Sequence, residues 1–408
     1  MRDMQLAILL LFLGVLFSCS PNIPTYNVIY ITIEDAMPTF GCYGDSIAYT
    51  PYVDQFAKEA LLFEDVHCQV ALCTPSRTSI LTGIRPSTSG IVKINDDWQD
   101  ILPNAVSLPR HFRENGYYTA IAGKIHDYRN GGMDAAYTRI FDTHGLESNE
   151  LALEALHHVS SREQPFFLAI GYAHAHDPWA PSISALNPYT KDQFSAEGLA
   201  NIYKNKTYNN RGIVELLRNY YGEISEADRL IGTLLENIKS KGLYENTIIL
   251  VGALDHGYNL GHRGRWGKGN TFDNETQVPF LLRVPENPNN GKRSPGLVEL
   301  VDIYPTLVDL CGLPQPKQRL EGISLRPLLE NPVLPWKKAA FTHRAYAVDI
   351  IGIKTKEYTL IDYKGDSLQL FHRQKDPLNL INIAGQNPEV TKKLLALKSK
   401  GWENALPD

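Results

Sequence analysis

Four short, nearly uninterrupted apolar runs stand out along the chain: Asn27–Ile33 (NVIYITI), Tyr117–Ala122 (YYTAIA), Phe166–Tyr172 (FFLAIGY) and Asn246–Leu254 (NTIILVGAL). Apolar residues at both odd and even positions predict strands buried on both faces, as in a parallel sheet covered by helices. Between these runs, Val53–Ala60, Leu108–Asn115 and Ile213–Ser240 repeat apolar residues at three-to-four spacing, with Gly116 and Gly242 following as stop signals. Strand and helix alternate, which predicts an α/β fold: a large, mixed, mainly parallel sheet sandwiched by helices. From about Asn331 the pattern changes to short strands, Tyr358–Tyr363 and Leu368–His372, and a final helix from about Pro388, which reads as a small antiparallel α+β subdomain. Pro285–Pro295 (PENPNNGKRSP) reads as a surface loop. The expected organisation is a leader over 1–18, a catalytic domain over 22–330 and a C-terminal subdomain over 331–408.

Each strand candidate is followed by polar residues of a particular kind. Glu34-Asp35 follows the first, Gly123-Lys124-Ile125-His126 the second, His174 and His176 the third, and Asp255-His256-Gly257 the fourth. Ligands of open parallel sheets bind beyond the carboxyl ends of the strands, so these exits predict where a site lies and what it is made of.

Composition narrows the partners. With 43% hydrophobic and 21% charged residues the chain is globular rather than disordered, and a formal net charge of −5 argues against nucleic acid. An anionic substrate would have to be held by local charge. The apolar run Ala7–Phe17 has the length of a signal h-region and falls short of the roughly 20 residues of a spanning helix. It ends in Leu16-Phe17-Ser18-Cys19, which resembles a bacterial lipobox, so the expectation is an exported protein, periplasmic or on the outer membrane, touching membrane only through a lipid on Cys19; a plain secretory signal is the alternative. Of the five cysteines, Cys42, Cys68 and Cys311 read as small buried residues rather than a disulfide framework.

The decisive segment is Cys73-Thr74-Pro75-Ser76-Arg77-Thr78-Ser79-Ile80-Leu81-Thr82-Gly83. It matches the sulfatase signature C-x-P-S-R-x-x-x-L-T-G at every specified position, and the chain resembles that family from Val28 to about Leu397. The likeness is greatest to the iduronate-2-sulfatase-like branch, through Gly41–Asp45, Pro109–Tyr117 and Asp255–Pro279. The resemblance implies that a maturation enzyme converts Cys73 to formylglycine, whose hydrate has one hydroxyl to attack sulfur and one to help expel sulfate. Pro75 fits the first turn of a helix from about Ser76, which would set residue 73 at a positive helix end. Arg77 would brace that side chain and the metal shell. Glu34, Asp35, Asp255 and His256, with residue 73, match the metal-ligand positions, although the first pair is Asp-Asp in a typical member. Oxygen donors suit Ca²⁺, with Mg²⁺ the alternative, and the imidazole leaves the ion's identity open. Lys124 and His126 fit the G-K-x-H pattern, the lysine holding sulfate and the histidine taking a proton. His176 matches the general acid, with Lys268 in support, while His174 is either a substrate contact or a hydrogen bonder behind the site.

The implied fold is alkaline-phosphatase-like, and the implied substrate is an O-sulfated sugar or glycan fragment. Asn95, Trp98, His174, Trp179, Arg263 and Arg265 are the candidates for its pocket. Two other readings stay open on sequence: a phosphate or phosphonate ester hydrolase of the same superfamily, and an inactive surface protein that binds sulfated glycans.

Overall fold

The computed structural model describes residues 25–127, 136–345, 348–364 and 366–407, so the leader and the lipobox-like segment lie outside the described residues. The chain opens with β1 (Asn27–Ile33), β2 (Leu61–His67), β3 (Tyr118–Gly123), β4 (Arg139–Ile140) and β5 (Phe166–Tyr172), of which β1, β3 and β5 fall where the apolar runs predict, shifted by at most a residue. A two-residue-per-strand hairpin follows, β6 (Ile202–Tyr203) and β7 (Lys206–Thr207), then β8 (Thr247–Gly252) and a second small hairpin, β9 (Asn259–Leu260) and β10 (Trp266–Gly267). The chain continues through β11 (Phe280–Arg283) and β12 (Arg293–Glu299) to β13 (Ala340–Arg344), β14 (Ile350–Lys354), β15 (Tyr358–Asp362) and β16 (Leu368–His372).

The main sheet has eight strands in the order β12-β2-β11-β8-β1-β5-β3-β4. Only β11 runs against its neighbours, β2 and β8, and the remaining pairings are parallel. The adjacency β8-β1-β5-β3 is what matters for function: the four strands whose exits carry carboxylate, lysine and histidine lie side by side and point the same way. At about 4.8 Å between strands, four neighbouring exits span roughly 15 Å.

Seven helices among the described residues are six residues or longer: α1 (Pro51–Phe56), α2 (Cys73–Thr82), α3 (Leu108–Glu114), α4 (Glu150–Ser160), α5 (Asn210–Ser240), α6 (Ile303–Leu310) and α7 (Pro388–Lys400). The Asn209 side chain caps α5 by accepting the Gly212 N–H, and its buried stripe runs Ile213, Leu217, Tyr220, Ile224, Leu230, Ile231, Leu234 and Ile238. Each fully buried aliphatic side chain of this stripe and of β1 contributes about 1.5–3 kcal/mol of transfer free energy. The helix read over Val53–Ala60 is shorter, because the chain turns after Phe56 to enter β2. Helix α2 begins at Cys73 rather than Ser76, so Pro75 lies inside its first turn.

Four strands of the main sheet escaped the sequence pattern: β2, β4, β11 and β12. The segment read as a loop through Pro295 becomes β12 from Arg293, with its register shifting between Ser294 and Leu297. Proline is tolerated because β12 lies at the sheet edge and the ladder breaks there.

The four-stranded antiparallel sheet β13-β14-β15-β16 and α7 close over a second, smaller core of Ala339, Ile353, Leu360, Leu370, Leu394 and Ala405. Ion pairs and hydrogen bonds tie it to the main body. Arg373 reaches Asp65 at 2.5 and 2.7 Å, and the buried Lys354 donates to the Thr271 carbonyl at 2.5 Å. Cys68 and Cys311 are buried as expected; Cys42 is only half-buried, and none of the four described cysteines is in a disulfide. No helix among the described residues is long and apolar enough to cross a membrane.

Candidate active site

Residue 73 is the first residue of α2, a helix buried on every side. Its Sγ lies 3.2 Å from the Lys268 ammonium and 3.4 Å from His256 Nε2. Burial pushes this thiol up, but the charges of Lys268 and His256 and a hydrogen bond from His176 overcome it and hold Cys73 well below an ordinary thiol. The site therefore favours negative charge at residue 73.

Arg77, one turn further along α2, is 2% exposed and ties three strand exits together. It donates to Asp255 Oδ2 at 2.8 Å and to the Lys124 and Ile125 carbonyls at 2.7 and 3.2 Å, with Glu34 Oε2 at 3.7 Å. The Asp255 carboxyl loses solvation on burial, yet His256, Arg77 and Lys268 hold it well below the usual carboxylate range. Ser76 Oγ donates to the Asp255 carbonyl at 2.5 Å, locking α2 to the β8 exit from a second atom.

Asp35 adopts φ 56°, the left-handed region that costs a non-glycine residue on the order of 1 kcal/mol and clusters at functional sites. That backbone turns its carboxylate to Lys268, at 2.6 and 2.7 Å from the two oxygens. Asp35, Cys73, Asp255 and His256 each present a ligand atom within 4.8 Å of the others, all four buried. His256 Nδ1 faces the Gly257 carbonyl at 3.0 Å, which leaves Nε2 for the centre of the cluster. Two carboxylates, an imidazole and residue 73 fit a divalent cation, since buried anions this close need a cation between them. Glu34 lies outside this group of four. It pairs with Lys124 at 2.6 Å, and burial, set against Arg77 and Lys124, raises its carboxyl.

The two histidines read as acid and base have opposite environments. His176 is raised to about 9 by its hydrogen bond with Cys73 and by Asp35, against partial burial, so it carries its proton at neutral pH. His126, buried and near Arg77, is lowered to about 3 and is neutral; its Nε2 meets the Tyr137 hydroxyl at 3.2 Å. A protonated donor and a neutral acceptor on neighbouring strand exits are what an acid and a base require.

The pocket candidates divide. Arg265 is half-buried and donates to the Lys268 carbonyl at 3.1 Å, at the edge of the site. Asn95 is exposed, next to Ile94, whose carbonyl accepts from Thr74 of α2 at 2.7 Å. Trp179 is committed elsewhere: its ring stacks on Tyr203 at 5.6 Å and its indole N–H donates to the Ala175 carbonyl. Trp98 packs with Ile91 and Ala105 in a satellite cluster, and Arg263 binds the Leu378 carbonyl and Asn274 while covering Phe272. All three pack against neighbouring side chains of the protein. His174 is buried with Nδ1 2.5 Å from Glu223, while its Nε2 has no hydrogen-bond partner among the described residues. Sequence reasoning missed Glu223, which also accepts the Ala180 N–H, and missed Gly145, whose lack of a side chain admits the Glu34 carboxylate. Neither stands in a recognisable local pattern.

Comparison with known proteins agrees with this geometry. Human (Homo sapiens) iduronate 2-sulfatase is 28% identical over 418 residues, covering 76% of each chain. Among solved structures, one determined with its substrate D-glucosamine-2-N,6-O-disulfate superposes with a TM-score of 0.78 at 19% identity, covering 93% of this chain and 98% of its own. The phosphonate monoester hydrolase of Agrobacterium radiobacter gives 0.81 at 19% identity, covering 92% and 96%. At such identity the structures speak to the fold alone, which is alkaline-phosphatase-like. A C-terminal model described as N-sulphoglucosamine sulphohydrolase matches residues 261–402. The sulfatase model itself matches residues 26–313, which span the four strand exits, α2 and Lys268, and the chain belongs to the sulfatase family of sulfuric ester hydrolases.

Proposed function

We propose that this enzyme removes O-sulfate from sulfated sugars or glycan fragments, using residue 73 as formylglycine together with a divalent cation. The observation that carries the reading is the surrounding of Cys73 Sγ: Lys268 at 3.2 Å, His256 at 3.4 Å, and the carboxylates of Asp35 and Asp255 in the same buried cluster. Sγ stands in for the oxygens of the hydrated aldehyde. That hydrate supplies a hydroxyl nucleophile in place of a thiol. The cation, held by Asp35, Asp255, His256 and residue 73, supplies Lewis-acid stabilisation of charge on the sulfate oxygens.

The chain's own residues do the rest. Lys268 and Lys124 bring positive charge to an anion that would otherwise repel a nucleophile. Arg77 fixes Asp255 and the backbone of Lys124 in one frame. His176, 37% exposed and with Nε2 turned to the cluster, delivers a proton to the leaving sugar oxygen. His126, neutral, accepts a proton from the side chain of residue 73 when sulfate departs. The relatives support a sugar substrate, one structure having been solved with a sulfated glucosamine. Export through the leader, with lipid on Cys19, belongs to the same reading and is tested by fractionation and lipid labelling of a Cys19→Ser variant.

The test is sulfate release from a panel of defined sulfated mono- and disaccharides, with protein coexpressed with a maturation enzyme and residue 73 identified by mass spectrometry. Turnover confined to protein carrying the aldehyde is expected. Full activity with an intact thiol, or a preference for aryl phosphate over aryl sulfate by orders of magnitude in kcat/KM, would overturn the reading.

A further inference from the structure

The acid reading of His176 leaves open what aims its ring, and the structure carries a device for that purpose outside the metal cluster. His176 Nδ1 faces the Asp177 carbonyl at 2.7 Å, with Asp177 Oδ1 at 3.6 Å, so the Asp177 residue occupies one side of the ring from both its backbone and its carboxylate. The other nitrogen, Nε2, is turned to the catalytic cluster, 4.0 Å from Asp35 Oδ2. The Asp177 carboxylate is itself held on its second oxygen. Tyr203 donates to Oδ2 at 2.6 Å, Lys204 at 2.9 Å and Tyr258 at 3.3 Å.

Two of those donors come from the β6-β7 hairpin, whose tip residues Lys204 and Asn205 have φ 47° and 61°. Consecutive left-handed residues make the tight two-residue turn that suits a hairpin's twist. The hairpin is too short to fold alone. It is pinned by aromatic packing, Tyr203 lying flat on Trp179 and 5.4 Å from Trp266, and by the Trp266 indole donating to the Ala200 carbonyl at 2.9 Å. The buried Trp179 thus acts at one remove: it seats Tyr203, which holds Asp177, which flanks His176.

We infer that Asp177, clamped by Tyr203 and Lys204 of the β6-β7 hairpin and by Tyr258, is a positioning residue for His176, fixing the ring so that Nε2 meets the leaving oxygen. The inference rests on the proposed role of His176. Three donors saturate one carboxylate oxygen, which leaves the other directed at the imidazole and keeps that side chain from rotating away. A structural carboxylate would support the loop without regard to what leaves; a positioning carboxylate matters in proportion to how much the leaving oxygen needs a proton.

The experiment compares phenyl sulfate, a poor leaving group, with 4-nitrophenyl sulfate, which departs with little help, using formylglycine-containing full-length protein. Asp177→Asn keeps the backbone carbonyl contact and the shape. It should raise the ratio of kcat/KM on 4-nitrophenyl sulfate to that on phenyl sulfate by about tenfold or more, a part of the 10²–10⁴ that a positioned acid supplies. Tyr203→Phe removes one donor to Asp177 without touching His176 and should move the ratio the same way by a smaller factor, which covers the case in which Asp177→Asn folds poorly. His176→Ala is the reference. If His176→Ala shifts the ratio and neither Asp177→Asn nor Tyr203→Phe does, the positioning role is overturned while the acid stands. If His176→Ala leaves the ratio unchanged, the acid reading falls and the inference with it.

Discussion

Lys268 places its ammonium between Asp35 and Cys73, 2.6 and 2.7 Å from the two carboxylate oxygens and 3.2 Å from Sγ. The same carboxylate belongs to the candidate metal cluster, so a protein cation and a bound dication draw on one anion. Lys268 and an ion bound there would repel each other, by on the order of 1 kcal/mol even with substantial screening. Lys268→Met should therefore bind Ca²⁺ roughly fivefold or more tightly by calorimetry. It should also lower kcat/KM by roughly 10²- to 10³-fold, as expected when a charge aimed at the transition state is removed. Weaker Ca²⁺ binding in Lys268→Met would show that the lysine supports the ion instead of competing with it.

Metal removal gives a second measurement. If Asp35, Asp255 and His256 hold the ion, adding Ca²⁺ at about 100 times its Kd to metal-stripped protein should stabilise it by about 2.7 kcal/mol. Asp255→Asn should abolish that increment. It should also cost about 3–5 kcal/mol before any metal is added, because Arg77 is buried and would lose its 2.8 Å partner. Denaturant unfolding with and without Ca²⁺ separates the two losses. An Asp255→Asn protein with the full Ca²⁺ increment would remove Asp255 from the ligand set.

Much of this site could be read from the sequence because its residues stand immediately after strands whose apolar runs are unambiguous. Glu34-Asp35, Lys124, His176 and Asp255-His256 follow β1, β3, β5 and β8, and strand adjacency alone brings them together. Residues acting from a distance were not legible. Glu223 lies in the middle of α5 as one acidic residue among several, and only the structure shows that α5 carries it to His174 in the loop after β5. Trp179 and Arg263 show the converse: the sequence offers them only as large polar-tipped side chains in loops near the site, and the structure adds the Ala175 and Leu378 carbonyls and Asn274 that their N–H groups meet. Strand β11 was missed because four residues are too few to establish a period, and β12 because Pro295 argues against a strand.

Glu34 carries the chain's main departure from the family pattern, and its extra methylene has a structural complement. A Cβ built on Gly145 would lie 2.9 Å from Glu34 Oε1 and 2.8 Å from both Ala173 Cα and Cβ. Gly145→Ala should destabilise the protein by about 1–3 kcal/mol, the cost of overpacking a dense interior. Because Glu34 Oε2 holds Lys124 at 2.6 Å, the same substitution should lower kcat as well as stability. Pairing Gly145→Ala with Glu34→Asp, which retracts the carboxylate by one methylene, should recover part of the stability in a double-mutant cycle. Strict additivity in that cycle would mean that Gly145 and Glu34 are not coupled.

His126 gives the clearest pH test, since it is buried, lies outside the candidate ligand set and has a large shift. Burial first, then the charge of Arg77, lowers it from 6.5 to about 3. An unfolded chain binds a proton at this histidine below about pH 6.5, whereas the folded protein resists until about pH 3. The contribution of neutral His126 is therefore complete above about pH 6.5 and is lost progressively as pH falls toward 3, amounting to about 2 kcal/mol lost by pH 5. His126→Asn does not titrate in this range. The stability gap between wild type and His126→Asn should shrink by about 2 kcal/mol between pH 7.5 and pH 5 in urea unfolding. Turnover should fall in His126→Asn at every pH, because asparagine cannot accept the proton from residue 73. A gap that stays constant across the range would mean that His126 binds its proton equally well folded and unfolded, and a gap that widens toward pH 5 would mean that His126 is cationic in the folded enzyme and could not serve as the base.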